Sequence, residues 1–160
     1  MSTRDTRTDR TRAAGAAVPW TAYAAAAWMA FFGLVHVYWA LGGTAALPAG
    51  FSVQDDARFL AVTLVAIPLC GIGAALALAL ARPPGRRRRP LLALAWATTA
   101  LLVVHALPAM VVLAGLALGI VDGELTERDR LSLFLYEPYW LLGGVLFGLA
   151  TAAAQRRRAG

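Results

Sequence analysis

Lysine and asparagine are absent from this 160-residue chain, cysteine occurs once, as Cys70, and charged residues make up only 15%. The single thiol excludes an internal disulfide, a CxxC redox centre and a thiolate zinc site, because each needs two sulfurs within one chain. The scarcity of charge excludes an ordinary soluble domain, in which about a quarter of the residues are charged. Apolar residues take the place of charge: 59% of the chain is hydrophobic. They are gathered into four long runs that a compact soluble domain of this size could not hide from water. Ala, Arg, Gly and Leu abound, as in a protein from a GC-rich bacterial genome, so an arginine alone carries little weight.

Position along the chain gives an all-α, integral membrane four-helix bundle. Residues 1–17 form a Thr/Arg tail with no apolar stripe, expected to be disordered. The first apolar run, 18–41, exceeds the roughly 20 residues that cross the hydrocarbon core of a bilayer. It is too long for the core of a signal peptide and is expected to stay as an anchor. The second run, 59–81, contains Pro68, Gly71 and Gly73 and stops at Arg82 and the segment PPGRRRRP. The third, 91–121, is longer than one span needs, and Pro108 is expected to kink it or end its straight part. The fourth, 131–154, holds a single charge, Glu137, and runs into a basic tail at 155–160.

Arginine distribution then gives orientation. Twelve of the fifteen arginines fall in the N-terminal tail, the 82–90 loop and the C-terminal tail, whereas six of the nine acids lie in the other two loops. Short cytoplasmic loops carry the excess of positive charge. The expectation is a multi-pass protein of the bacterial cytoplasmic (inner) membrane with both termini cytoplasmic (N-in, C-in). Its basic residues would contact anionic lipid head groups. No aromatic or recognition-helix pattern accompanies them, so nucleic acid is not an expected partner.

Three ionisable side chains sit inside the runs: His36, His105 and Glu137. Such groups are costly in hydrocarbon, so they turn inward, pair, and often serve function. At 1.5 Å per residue, Glu137 lies about 9 Å and His36 about 7.5 Å below the same boundary, which makes them neighbours if the first and fourth helices pack. Trp140, Leu141, Gly144 and Gly148 share the Glu137 face, where small residues let another helix approach or a homo-oligomer form. Met29, Phe32, Gly33 and Trp39 share the face of His36. Tyr38, Tyr136 and Tyr139 lie at nearby levels, where some would belong to the interfacial aromatic belt.

Glu137 has three readings. It could lock the bundle by bonding a histidine or the Phe134 carbonyl that Pro138 frees, or it could lie near an interface if the helix begins at Pro138. It could instead be a carboxylic acid in an apolar pocket, which favours the neutral, proton-carrying form. His36 and His105 are each read equally well as satisfied core histidines. The strings HVYWALGG, from His36, and EPYWLLGG, from Glu137, share YW and GG, but the helices carrying them run oppositely, so a duplication does not follow.

On those two strings the chain resembles a small uncharacterised family of four-helix integral membrane proteins of actinobacteria, a likeness covering most of residues 18–154. More distantly it resembles bacterial membrane-bound terpene cyclases, in which an acid protonates an epoxide or alkene and aromatic faces stabilise the carbocation. That resemblance implies Glu137 as proton donor and His36, or an acid of the outer loops, as its partner or base. Trp39, Tyr139 and Trp140 would form the cation-stabilising wall, with Tyr38, Tyr136 and His105 also around the apolar isoprenoid-like substrate. It implies no cofactor and no metal, and the Asp-rich motifs of soluble cyclases are absent. Two alternatives come from other classes: a bis-histidine haem carrier using His36 and His105, and a non-enzymatic membrane subunit or scaffold.

Overall fold

The computed structural model describes residues 20–82 and 88–159. The tail read as 1–17 and most of the basic segment at 83–87 lie outside the described residues. Among them every regular element is helical and none is a strand. In order come α1 (Trp20–Ala40), a 3₁₀ turn (Val53–Asp55), α2 (Ala57–Ala81), α3 (Arg88–Ala117), the short α4 (Glu127–Leu131), a π-helical turn (Ser132–Tyr136) and α5 (Glu137–Ala159). Four helical stretches are long and apolar enough to cross a membrane, the last being continuous from α4 through the π turn into α5.

The helix ends follow local chemistry rather than hydropathy. α1 and α3 stop before the apolar runs do, because Gly42 and Gly119 take φ values of 95° and 65°. After each, the next amide bonds five residues back, Gly43 to Tyr38 at 2.9 Å and Ile120 to Gly115 at 2.9 Å. This is the glycine-terminated Schellman arrangement, and it corrects the expected end of the third helix from residue 121 to Ala117. α3 also passes through Pro108 rather than ending there. α2 begins at Ala57, where the Asp56 carboxylate accepts the amides of Arg58 at 2.9 Å and Phe59 at 3.1 Å.

The fourth helix is corrected more strongly. It starts at Glu127 rather than at residue 131, because Thr126 and Asp129 form a reciprocal capping box. A start at Pro138 is therefore overturned, and Glu137 lies well inside the helix. α5 continues to Ala159, so the basic segment read as a tail at 155–160 is largely helical. Arg157 donates to the Leu80 carbonyl at 2.8 Å, placing a cation on the last turn of α2.

The closest pairings are α1 with α2 and α3 with α5, and α1 also packs on α5. Around Arg157 and Leu80 the core is built of small residues: Ala25, Ala77, Ala95 and Ala154 are completely buried. Short side chains let the backbones approach, the main source of helix adhesion when lipid is as apolar as the core. Toward the end that carries the 41–56 and 118–126 loops, the core becomes aromatic, with Trp28, Phe32 and Trp39 buried and Tyr139 and Trp140 packed against them. Large apolar side chains such as Leu34, Val62, Leu101 and Val145 project outward, the arrangement that hydrocarbon rather than water requires.

Candidate functional site

At the aromatic end a cavity of about 420 Å³ opens between the helices and the 41–56 loop. His36 and Trp39 of α1, His105 of α3, Tyr136 of the π turn, and Glu137 and Trp140 of α5 line it together. The space is of the size that small-molecule sites occupy, with an apolar wall and a few polar groups.

His36 is 7% exposed, and its Nδ1 lies 2.9 Å from the Phe32 carbonyl. A carbonyl only accepts, so Nδ1 carries the hydrogen and the neutral ring keeps Nε2 as an acceptor. The imidazole stands edge-on to Phe32 and Trp39, with ring centroids 4.4 Å and 5.2 Å away. Phe32 in turn meets Trp140 at 5.3 Å, and Trp140 meets His105 at 4.8 Å. A chain of rings therefore links the two histidines along the cavity.

Glu137 is the acid in this wall. Its Oε2 is buried and has no hydrogen-bond partner. His105 Nε2 lies 3.9 Å away, beyond hydrogen-bond reach, with side-chain exposures of 52% for His105 and 15% for Glu137. The expected proximity of His36 and Glu137 takes a different form: both line one cavity, but among the described residues the ionisable partner within 4 Å of the carboxylate is His105. The π turn lies immediately before Glu137, whose amide bonds to the Ser132 carbonyl, five residues back. Pro138 explains the wide turn, since it has no amide to donate and its ring crowds the carbonyl four residues back.

The loop over the cavity is strapped down. Trp39 Nε1 donates to the Ala45 carbonyl at 2.9 Å, and the Tyr136 hydroxyl donates to the Ala46 carbonyl. Ala46 itself is held at a φ of 62°, a region that costs an ordinary residue roughly 1–2 kcal/mol. The Glu127 carboxylate accepts the Ala49 amide at 3.1 Å, and Gln54 donates to the Ala40 carbonyl at 3.0 Å.

Two expected residues lie elsewhere. Tyr139 stacks on Trp28 at 4.7 Å and donates to the Trp28 carbonyl at 2.9 Å. Tyr38 is exposed and covers Gly43, and its hydroxyl accepts the Ala45 amide at 3.4 Å. Sequence reasoning missed Arg128, Ser132 and the loop residues Leu47, Pro48 and Phe51, all of which line the cavity. The glycine ridge on α5 is used within the chain. Gly144 faces Val103, where an added Cβ would meet a methyl at 2.7 Å, and Gly148 faces Thr99. Among the described residues no group of three metal-ligating side chains exists.

Residues 29–147 match the family described as Protein of unknown function (DUF3995), a span that contains every cavity residue and neither basic end. No curated protein and no solved structure matches the chain.

Proposed function

The chain belongs to this family, whose description assigns no activity, and from the cavity we propose an intramembrane acid catalyst. The reaction is that of a membrane-bound terpene cyclase, protonation of an epoxide or alkene in an isoprenoid substrate to start a carbocation cyclisation. The observation that carries this reading is the buried Glu137 Oε2, without a hydrogen-bond partner at the edge of a space walled by aromatic rings. A buried polar atom left unsatisfied in a native fold calls for an explanation, and a proton donor awaiting its acceptor supplies one. A π turn directly before the residue is a further support, since such turns are frequent at functional sites.

The step balances without a co-reactant. The Glu137 O–H bond breaks and its proton bonds to the epoxide oxygen or the terminal alkene carbon, leaving a cation that a neighbouring double bond attacks to form the ring. The faces of Trp39 and Trp140 stabilise the positive charge, an attraction that strengthens in a desolvated site. Loss of a proton to the lone pair on His36 Nε2 ends the sequence, so substrate and product are isomers. His36 then gives its proton to solvent, and Glu137 takes one back from solvent by way of the half-exposed His105, whose ring must swing in to close the 3.9 Å between them. In this reading the cavity faces the outer leaflet of a bacterial inner membrane with both termini cytoplasmic, the orientation that the arginine distribution favours under the positive-inside rule.

The test is to incubate membranes containing the protein with farnesylated and epoxidised isoprenoids and to look for cyclised isomers by mass spectrometry. Wild type forms them and Glu137→Gln, present at equal level, does not. Product from Glu137→Gln at the wild-type rate, or no product from wild type with any substrate of these two classes, overturns the reading.

A further inference from the structure

The guanidinium of Arg128 lines the cavity and is a charged group that the cyclisation does not use. On an uninterrupted α-helix, nine residues separate Arg128 from Glu137 by about two and a half turns, which would put them on opposite faces. The π turn between them adds one residue to a turn and removes about 100° of phase, and both side chains line the same space. Arg128 stands over the Phe51 ring, 5.8 Å from its centroid, at the rim of the cavity beside Ser132.

Carboxylates are plentiful at this end of the molecule, yet among the described residues none lies within ion-pair distance of Arg128. The nearest acids in sequence have other work. Glu127 accepts the Ala49 amide, and Asp129, which feels the charge of Arg128 without forming an ion pair with it, accepts the Thr126 amide and hydroxyl. A guanidinium with its donors unpaired by protein, at the mouth of an apolar cavity with a hydroxyl alongside, is built to take an anionic oxygen group.

We propose that Arg128, with Ser132, forms an anion subsite, and that the ligand is an amphiphile with a phosphate or carboxylate head and an isoprenoid tail. The head rests at the rim and the tail passes between His36, Trp39 and Trp140 toward Glu137. This rests on the proposed acid catalysis only for the direction of the tail. Along the helix axis Arg128 and Glu137 are about 13 Å apart at α-helical rise, and somewhat less through the π turn. A single isoprene unit does not span that distance, so the proton-receiving carbon lies more than one unit from the head.

Binding tests the proposal separately from turnover. Purified protein in neutral detergent is titrated with farnesyl phosphate, farnesol and inorganic phosphate, read by tryptophan fluorescence, since Trp39 and Trp140 line the cavity. Wild type is expected to bind farnesyl phosphate at least about tenfold more tightly than farnesol, a modest return for hydrogen bonds to a charged group. Arg128→Gln reduces that ratio to about one while farnesol binding stays, Arg128→Lys retains part of it, and circular dichroism reports folding of both. Glu137→Gln keeps the ratio although it forms no product, which separates a failure of this subsite from a failure of the catalytic reading. Equal binding of the two ligands by wild type, or an unchanged ratio in folded Arg128→Gln, overturns the proposal. Repeating the titration in phosphatidylcholine nanodiscs with and without phosphatidylglycerol identifies the source of the head group. Competition in wild type but not in Arg128→Gln assigns the subsite to bilayer lipid phosphates as well, and absence of competition assigns it to the free amphiphile.

Discussion

The buried Oε2 of Glu137 lies 3.9 Å from Nε2 of His105, one atom sealed in the wall of the cavity and the other on a half-exposed ring. The pair joins α3 to α5 and forms a step in polarity from the open side of the bundle to its interior. In the proposed cycle such a step would carry a proton inward without exposing the carboxyl.

Replacing His105 by Gln should therefore leave the first turnover intact and slow the later ones. Rapid-mix product analysis is expected to show an unchanged initial amplitude and a steady-state rate lowered roughly 10²-fold, a usual contribution of a positioned proton-transfer group. Equal loss in both phases assigns His105 to the chemical step itself.

Glu137→Gln separates catalysis from scaffolding by stability. Because Oε2 makes no hydrogen bond, the amide variant should melt at or above the wild-type temperature while it loses product. If thermal unfolding in detergent shows a loss of more than about 1 kcal/mol with activity retained, the carboxyl makes a structural bond and the scaffold reading wins.

Helix adhesion depends on the glycines of α5. Gly144→Val, pushed into Val103, should cost about 1–3 kcal/mol by overpacking. Gly71→Ala on α2, where an added Cβ meets nothing within 4 Å, serves as the neutral control. Equal midpoints for the two variants in a denaturation series would show that α3 and α5 do not pack through this ridge.

The cap on α4 is a separate, local target. Thr126→Ala removes one side of the capping box and should cost about 1 kcal/mol, with faster amide exchange confined to the first turn. No change in exchange at Glu127–Leu131 would mean that the tertiary contacts of α4, not its cap, hold it.

Tyr136→Phe should loosen the loop over the cavity. The variant lacks the donor to the Ala46 carbonyl, and Ala46 sits in a backbone region that ordinary residues avoid. Amide exchange across residues 44–49 is expected to rise, together with the rate of ligand entry. Unchanged exchange there would assign the loop's order to Trp39 and Glu127 alone.

Much of the fold was legible because it follows from amounts of apolar sequence. Runs around Val18, Phe59, Leu91 and Leu131 each contain enough hydrophobic residues to become one helix, and each does. Their ends were less legible, since hydropathy ignores backbone geometry. Leu118, Ile120 and Val121 are apolar but flank a chain reversal at Gly119, beyond the helix end at Ala117, while the polar Thr126 and Glu127 belong to a helix start. At the candidate site, depth could be counted along each run, which set His36, Trp39 and Trp140 at one end of the bundle, and all three line the cavity. Rotation and neighbour choice could not be counted, so His105 rather than His36 as the partner of Glu137 was missed. Arg128 was hidden for a different reason: no one-residue pattern announces that a helix will change its phase.

That phase change makes the relation between Arg128 and Glu137 depend on the form of the backbone as well as on its length. Deleting one residue from Ser132–Tyr136 leaves a separation of eight positions on ordinary α-helix, about 80° of turn, the same relation that the π turn gives with nine. Straightening the turn with its length kept would instead put the two side chains on opposite faces, even though every residue named in the chemistry is still encoded. Among members of this family, a one-residue gap here is therefore the length change that keeps both side chains toward the cavity.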